Sequence, residues 1–132
     1  MKKISVVVPT YNEQDNVELL AEAIINVFNE KLMSYDYEII FIDNFSKDDT
    51  RKKIRKICDE NKKVKAIFNA KNFGQIRSPY YGLLQATGDC AVLMCADFQE
   101  PPEVIPEFVK EWENNYKIVI GIKAKSKESK LM

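Results

Sequence analysis

The strongest constraint in this chain is an alternation of short apolar runs with longer amphipathic ones. Apolar, mostly β-branched stretches occur at Ile4–Val8, Glu38–Ile42, Val64–Phe68, Ala91–Cys95 and Ile118–Ile122. A run such as Val6-Val7-Val8 lacks polar alternation and suits a strand covered on both faces. Between the first two runs, Val17, Leu20, Ile24, Val27 and the aliphatic stem of Lys31 fall at helical spacing, with Glu18, Glu22 and Asn26 opposite. Lys47–Glu60 reads as a charged helix with a narrow stripe of Ile54, Ile57 and Cys58. Gln75–Thr87 reads as a helix closed by Gly88 in a left-handed cap. Glu103–Asn115 is amphipathic through Val104, Phe108, Val109 and Trp112. Strands alternating with helices predict the α/β class: a single domain over residues 1–132 with a mostly parallel open sheet and helices on both faces. Right-handed crossovers would then gather the strand carboxyl ends along one edge.

Composition removes several function classes. Lys+Arg and Asp+Glu are both 20, so no global charge favours nucleic acid. There is no His, which excludes imidazole as metal ligand or general base within this chain. Cys58, Cys90 and Cys95 lack CxxC spacing and fit a reducing cytoplasm better than a disulfide framework. Cys95 itself reads as a small buried residue at a strand end. The first apolar run stops at Pro9, too soon for a signal-peptide core, and no stretch has the length of a membrane span.

Polar loops follow the first, second and fourth runs: Pro9–Glu13, Asp43–Asp48 and Asp97–Glu100. Ligands of open α/β sheets bind at that edge. Neither G-x-G-x-x-G nor G-x-x-x-x-G-K-[ST] is present, and none of the four glycines lies in the first loop. What remains is Glu13, Asp43, Asp48 and Asp97 with Tyr11 nearby. Carboxylates there can accept hydrogen bonds from a base or ribose, or hold a divalent cation that neutralises a diphosphate. Each has a plainer alternative: Tyr11 packed on the sheet edge, Glu13 in a first helical turn, Asp43 as a turn former, Asp48 as a helix cap. The basic run from Lys47 to Lys56 reads as a solvated helix face, with anionic membrane as its alternative partner. Arg77 reads as a phosphate contact or a surface helix residue.

The ordered series VVVPTYNE, EIIFIDNFSKDDT, NFG, ATGD and ADFQEPPE resembles the family-two inverting glycosyltransferases of GT-A fold, a Rossmann-like architecture for nucleotide-diphospho-sugars. Its motifs are most similar to the polyprenyl-phosphate (dolichol-phosphate type) sugar transferases. The resemblance implies that Pro9, Tyr11 and Glu13 line the base and ribose, and that Asp43 binds the base edge. It implies Asp97 as the catalytic second acid of a D-x-D metal motif, Gln99 as its helper, and Asp89 near the donor. It further implies Mg2+ or Mn2+, a UDP-sugar first and a GDP-sugar second, and a polyprenyl phosphate or glycan acceptor.

Three positions depart from the family's pattern. Cys95 stands where the first acid of D-x-D is expected, Asn44 replaces an acid, and Phe45 replaces a glycine. A neutral thiol is a poor Mg2+ ligand, so metal chemistry should be weakened. The competing expectation is therefore a nucleotide-binding relative with reduced turnover, or an interaction module. The chain also reads as the donor-binding half of a longer enzyme, truncated before an acceptor half and any membrane segments. Lys123, in the tail GIKAKSKESKLM, stands near positions the family often gives to Arg. Cytoplasm, with the longer protein at the cytoplasmic face of a membrane, is the expected location. A homodimer through an exposed sheet edge is compatible with all of this.

Overall fold

The computed structural model describes residues 1–121. Four parallel strands, β1 (Lys3–Thr10), β2 (Asp36–Asp43), β3 (Val64–Phe68) and β4 (Cys90–Leu93), form one sheet in the order β3-β2-β1-β4. Helices α1 (Val17–Lys31), α2 (Thr50–Glu60) and α4 (Ile105–Glu113) pack on one face, and α3 (Gly74–Leu84) on the other. The two faces follow from parity. Ile4, Val6 and Val8 of β1 meet Leu20, Ile24 and Ile54 in the larger core, while Val7, Ile40 and Ile42 meet Leu83 beneath α3.

The apolar stripe of α1 is buried as its spacing predicts, and Lys31 stays exposed. Three expectations need correction. The predicted fifth strand is absent among the described residues: Ile118 and Ile120 are exposed outside any strand, and Ile122 lies outside the described residues with the Lys123 tail. α2 starts at Thr50: Ser46 N–H donates to the Asp43 carboxylate at 2.9 Å and Thr50 N–H to the Asp48 carboxylate at 2.9 Å, local turns that keep the segment between them out of the helix. Gly88 does not cap α3, which closes at Gln85 without a left-handed residue. Gly88 is needed for close approach: its N–H donates to Ser5 Oγ at 2.8 Å, and a Cβ there would come within 2.7 Å of that oxygen. Gly82 does the same for α3, since a Cβ would meet Val7 Cγ1 at 2.9 Å.

Two register pairs of β1 and β2 carry polar chemistry. Ser5 faces Glu38 near the amino ends, and Thr10 faces Asp43 at the carboxyl ends. Five residues separate them along each strand, an odd step, so the two pairs lie on opposite faces of the sheet. Glu38 is buried and accepts from Ser5 Oγ (2.6 Å), Lys65 Nζ (2.7 Å) and Thr87 N (2.7 Å). Burial alone would raise its pKa, but these donors outweigh it and hold the carboxyl down at about 2.

Candidate functional site

The site is built from four loops at the carboxyl edge, and Asp43 is its hub. Its carboxylate is fully buried and has a donor on every side. Oδ1 accepts from Thr10 Oγ1 (2.8 Å) and Ser46 Oγ (2.5 Å); Oδ2 accepts from Ser46 N (2.9 Å) and Arg51 Nε (2.7 Å). Arg51 also donates to Asn69 O, so one guanidinium ties the end of β2 to the end of β3. The same group lies over the rings of Phe45 and Phe68 at 5.3 and 5.4 Å.

The loops after β1 and β2 hold each other reciprocally. Asn12 N donates to Ser46 Oγ, and Asn12 Oδ1 accepts from Lys47 N at 3.0 Å. Glu13 N donates to Thr50 Oγ1 at 2.8 Å, and Gln14 Oε1 accepts from Asp49 N at 3.1 Å. Asn12 and Phe45 both take positive φ, 52° and 70°, a conformation costly for Phe and easy for the glycine expected there. Asn12 and Thr10 are thus engaged across loops and do not cap α1. Asp48 is not the cap of α2: it accepts from Thr50 N at 2.9 Å in an i, i+2 turn, one residue before the N-cap position Asp49, which makes no side-chain cap bond. The basic run is similarly engaged, through Arg51 to Asp43 and Lys53 to Gln14 O at 2.8 Å.

A further hub, missed in the sequence, is Asn44. Its Oδ1 accepts from Asn69 Nδ2 (3.2 Å) and Phe73 N (2.8 Å), while its Nδ2 donates to Asn72 Oδ1 (2.9 Å) and Gly74 O (3.1 Å). The signal was its place in the family's acidic motif. Its partners come from a loop far along the chain, which spacing does not disclose.

The loop after β4 differs. β4 ends at Leu93, two residues before the expected limit, although Met94 N still donates to Val7 O at 3.0 Å. Asp97 is exposed, and its Oδ1 accepts from Gln99 N at 3.1 Å in a local turn, with Phe98 at φ 60°. Cys95 is exposed rather than buried. Partial burial raises its thiol pKa, and the fields of Asp97, Glu100 and Glu13 raise it further, so it stays protonated at neutral pH.

Tyr11 (half-exposed), Glu13, Asp43, Asp97 and Gln99 therefore share one edge, with Pro9 inside the end of β1. Pro9 lies past the last β4 partner, Val7↔Leu93, so its missing N–H costs no ladder bond. Asp89 is not with them. Its carboxylate accepts from Lys3 N at 2.8 Å at the amino ends of β1 and β4, roughly 20 Å of strand away. The expected position near the donor is corrected by register: β4 begins at Cys90, opposite Ile4.

A hard cation needs oxygen donors that converge. Among the described residues no three His, Cys, Asp or Glu side chains converge as a metal site. Mg2+ commonly uses one or two carboxylates with substrate phosphates and water. Asp97 with the Gln99 amide oxygen meets that minimum, and the neutral Cys95 thiol adds nothing to it. Among the described residues, no helix is long and apolar enough to cross a membrane.

Comparison with known proteins gives this edge a context. The model for glycosyl transferase family 2 matches residues 5–131. The chain is 39% identical over 119 residues to the dolichol-phosphate mannosyltransferase of Pyrococcus furiosus, covering 90% of this chain and 32% of that protein. It is 33% identical over 130 residues to the undecaprenyl-phosphate 4-deoxy-4-formamido-L-arabinose transferase of Yersinia enterocolitica, covering 98% and 39%. The chain thus spans about a third of the length of the curated relatives it matches. The fold is similar to that of mannosyltransferase PcManGT from Pyrobaculum calidifontis, solved with GDP-Man and Mn2+ (TM-score 0.69, 22% identity, 83% of this chain and 32% of that one). It is likewise similar to S. aureus TarS 1-349 with UDP (TM-score 0.68, 23% identity, 85% and 32%). With its parallel α/β sheet, its edge loops and a family match across nearly its whole length, the chain belongs to glycosyl transferase family 2 and has the GT-A fold.

Proposed function

We propose that this chain is the nucleotide-sugar-binding part of an inverting glycosyltransferase that moves a sugar from a nucleotide diphosphate sugar to a polyprenyl phosphate. The reading rests on one observation: Tyr11, Glu13, Asp43 and Asp97 share the carboxyl edge of a parallel sheet in a chain of this family. Pro9, Tyr11 and Glu13 line the base and ribose, with UDP first and GDP second. Asp43 braces the loops on which the base rests. Asp97 and Gln99 face the diphosphate and would hold Mg2+ or Mn2+, which when bound neutralises charge on the departing diphosphate. Asp89 has no part in this site.

The choice of acceptor is supported by the chemistry of the nucleophile and by the relatives' names. A phosphate oxygen is already anionic and attacks without a general base, which suits a sequence with no His. A sugar hydroxyl would need a carboxylate base. Relatives named for dolichol and undecaprenyl phosphate support the lipid acceptor over a glycan. The work would then take place at the cytoplasmic face of a membrane. Titration calorimetry of UDP, GDP and their sugars, with and without Mn2+, tests the donor site. Binding of a uridine or guanosine diphosphate is expected; heat from none of them ends this reading.

The Cys95 thiol favours a second reading, a nucleotide-binding relative with weakened metal chemistry. Cys95→Asp separates the two. A gain of about tenfold or more in Mn2+-dependent donor affinity identifies the thiol as the lesion, and an unchanged affinity shows that Asp97 suffices.

A further inference from the structure

The face of α3 that points away from the sheet is a feature the donor site does not use. Ser78 and Gly82 are buried toward β1 and β2. Two residues away around the helix, Ile76, Tyr80 and Leu84 form an i, i+4, i+8 stripe that is 84%, 62% and 61% exposed. Phe73 and Tyr81 widen it, and Phe73, Tyr80, Tyr81 and Leu84 with Arg77 line a groove of about 260 Å3. A contiguous apolar surface of this kind on a soluble face marks an interaction site.

Charge selects the partner. The chain is net neutral, yet Asn61 to Gly88 contains five cations and no acid. Lys63 and Lys65 are paired with Asp36 and Glu38; among the described residues, Lys71 and Arg77 have no carboxylate partner. Lys71 lies over the Phe73 ring at 5.1 Å. Two tyrosines, an isoleucine and a leucine rimmed by unpaired cations complement a bilayer interface, where aromatic rings sit at headgroup level and basic side chains meet anionic lipid.

We infer that the outer face of α3 docks on an anionic lipid surface, with Ile76, Tyr80 and Leu84 inserted at the headgroup boundary and Lys71 and Arg77 on the lipid phosphates. α3 reaches from the carboxyl edge, where Gly74 O meets Asn44, back to the amino edge, where Thr87 meets Glu38. A helix lying flat on lipid therefore holds the edge loops beside the headgroups. Docking needs no nucleotide and stands independently of the donor reading.

Co-sedimentation with phosphatidylcholine vesicles, with and without phosphatidylglycerol, tests it. The chain is expected to partition onto the anionic vesicles and to leave them as salt rises. Ile76→Ser with Leu84→Ser should weaken partition at least about tenfold. Lys71→Gln with Arg77→Gln should weaken it on anionic vesicles only. Both pairs alter exposed groups, so thermal melts should match the parent, and nucleotide titrations of Ile76→Ser with Leu84→Ser should match it too, which separates this test from the donor-site test. A parent that stays in the supernatant, variants that bind like the parent, or a dimer in ultracentrifugation that Ile76→Ser with Leu84→Ser dissolves would overturn the inference.

Discussion

Ser5–Glu38 and Thr10–Asp43 are the same chemical pair built twice in one ladder, a hydroxyl donating to a carboxylate across the β1–β2 register. Their surroundings separate them. Glu38 is closed off by lysines and by the turn after α3, so its bonds join sheet to helix. Asp43 is closed off by Ser46 and Arg51, so its bonds join loop to loop. A buried carboxylate is costly in either place unless donors surround it. At the amino end that requirement yields a sealed brace. At the carboxyl end it yields a rim of loops fixed to one another, on which the proposed donor site is built.

Three substitutions probe this contrast. Asp43→Ala should have the largest effect, roughly 3–5 kcal/mol of unfolding free energy, because it strands the Arg51 guanidinium and two hydroxyls. Nucleotide affinity should fall with it. Urea unfolding beside calorimetry measures both, and a loss under about 1 kcal/mol would mean that the rim holds without its hub.

Glu38→Gln should cost roughly 2–3 kcal/mol at neutral pH and leave nucleotide affinity unchanged. Its folded pKa lies below the ordinary 4.5, at about 2. The stabilisation is therefore complete above pH 4.5 and lost as pH falls toward 2. Melts across that window should show a flatter acid limb in the variant than in the parent. A parallel pair of curves would remove Glu38 from the brace.

Asp97→Ala should be the mildest for stability, within about 0.5 kcal/mol, since the side chain is exposed and accepts only from the nearby Gln99 amide. The Mn2+-dependent part of donor affinity should nevertheless disappear. A large drop in melting temperature instead would show that this loop is as tightly built in as the other three.

The sequence was most legible where burial dictates residue type. Val6-Val7-Val8 and Ile39-Ile40-Phe41-Ile42 have to be central strands, and the stripe of α1 has to be a helix face. Polar segments were less legible, because their conformation depends on distant partners. Ser46 to Asp49 has the composition of a first helical turn, yet Asn12, Glu13 and Gln14 hold that segment as a loop. Gly88 follows a helix as a cap would, and only β1 packing reveals why it is glycine. The Gly-Asp motif was visible at Asp89, but the sheet register put that acid at the wrong end for a donor.

Asn44 carries a consequence for how such a chain can change. An aspartate there would turn one carboxylate oxygen toward two acceptors, Asn72 Oδ1 and Gly74 O, where the amide now donates. Asn72 is not free to turn over in compensation, because its Oδ1 also receives Gly74 N at 2.8 Å. The family's acid therefore cannot return at position 44 alone. An acid at position 44 needs position 72 to change with it and the Gly74 carbonyl to move away, because both acceptors face the same atom.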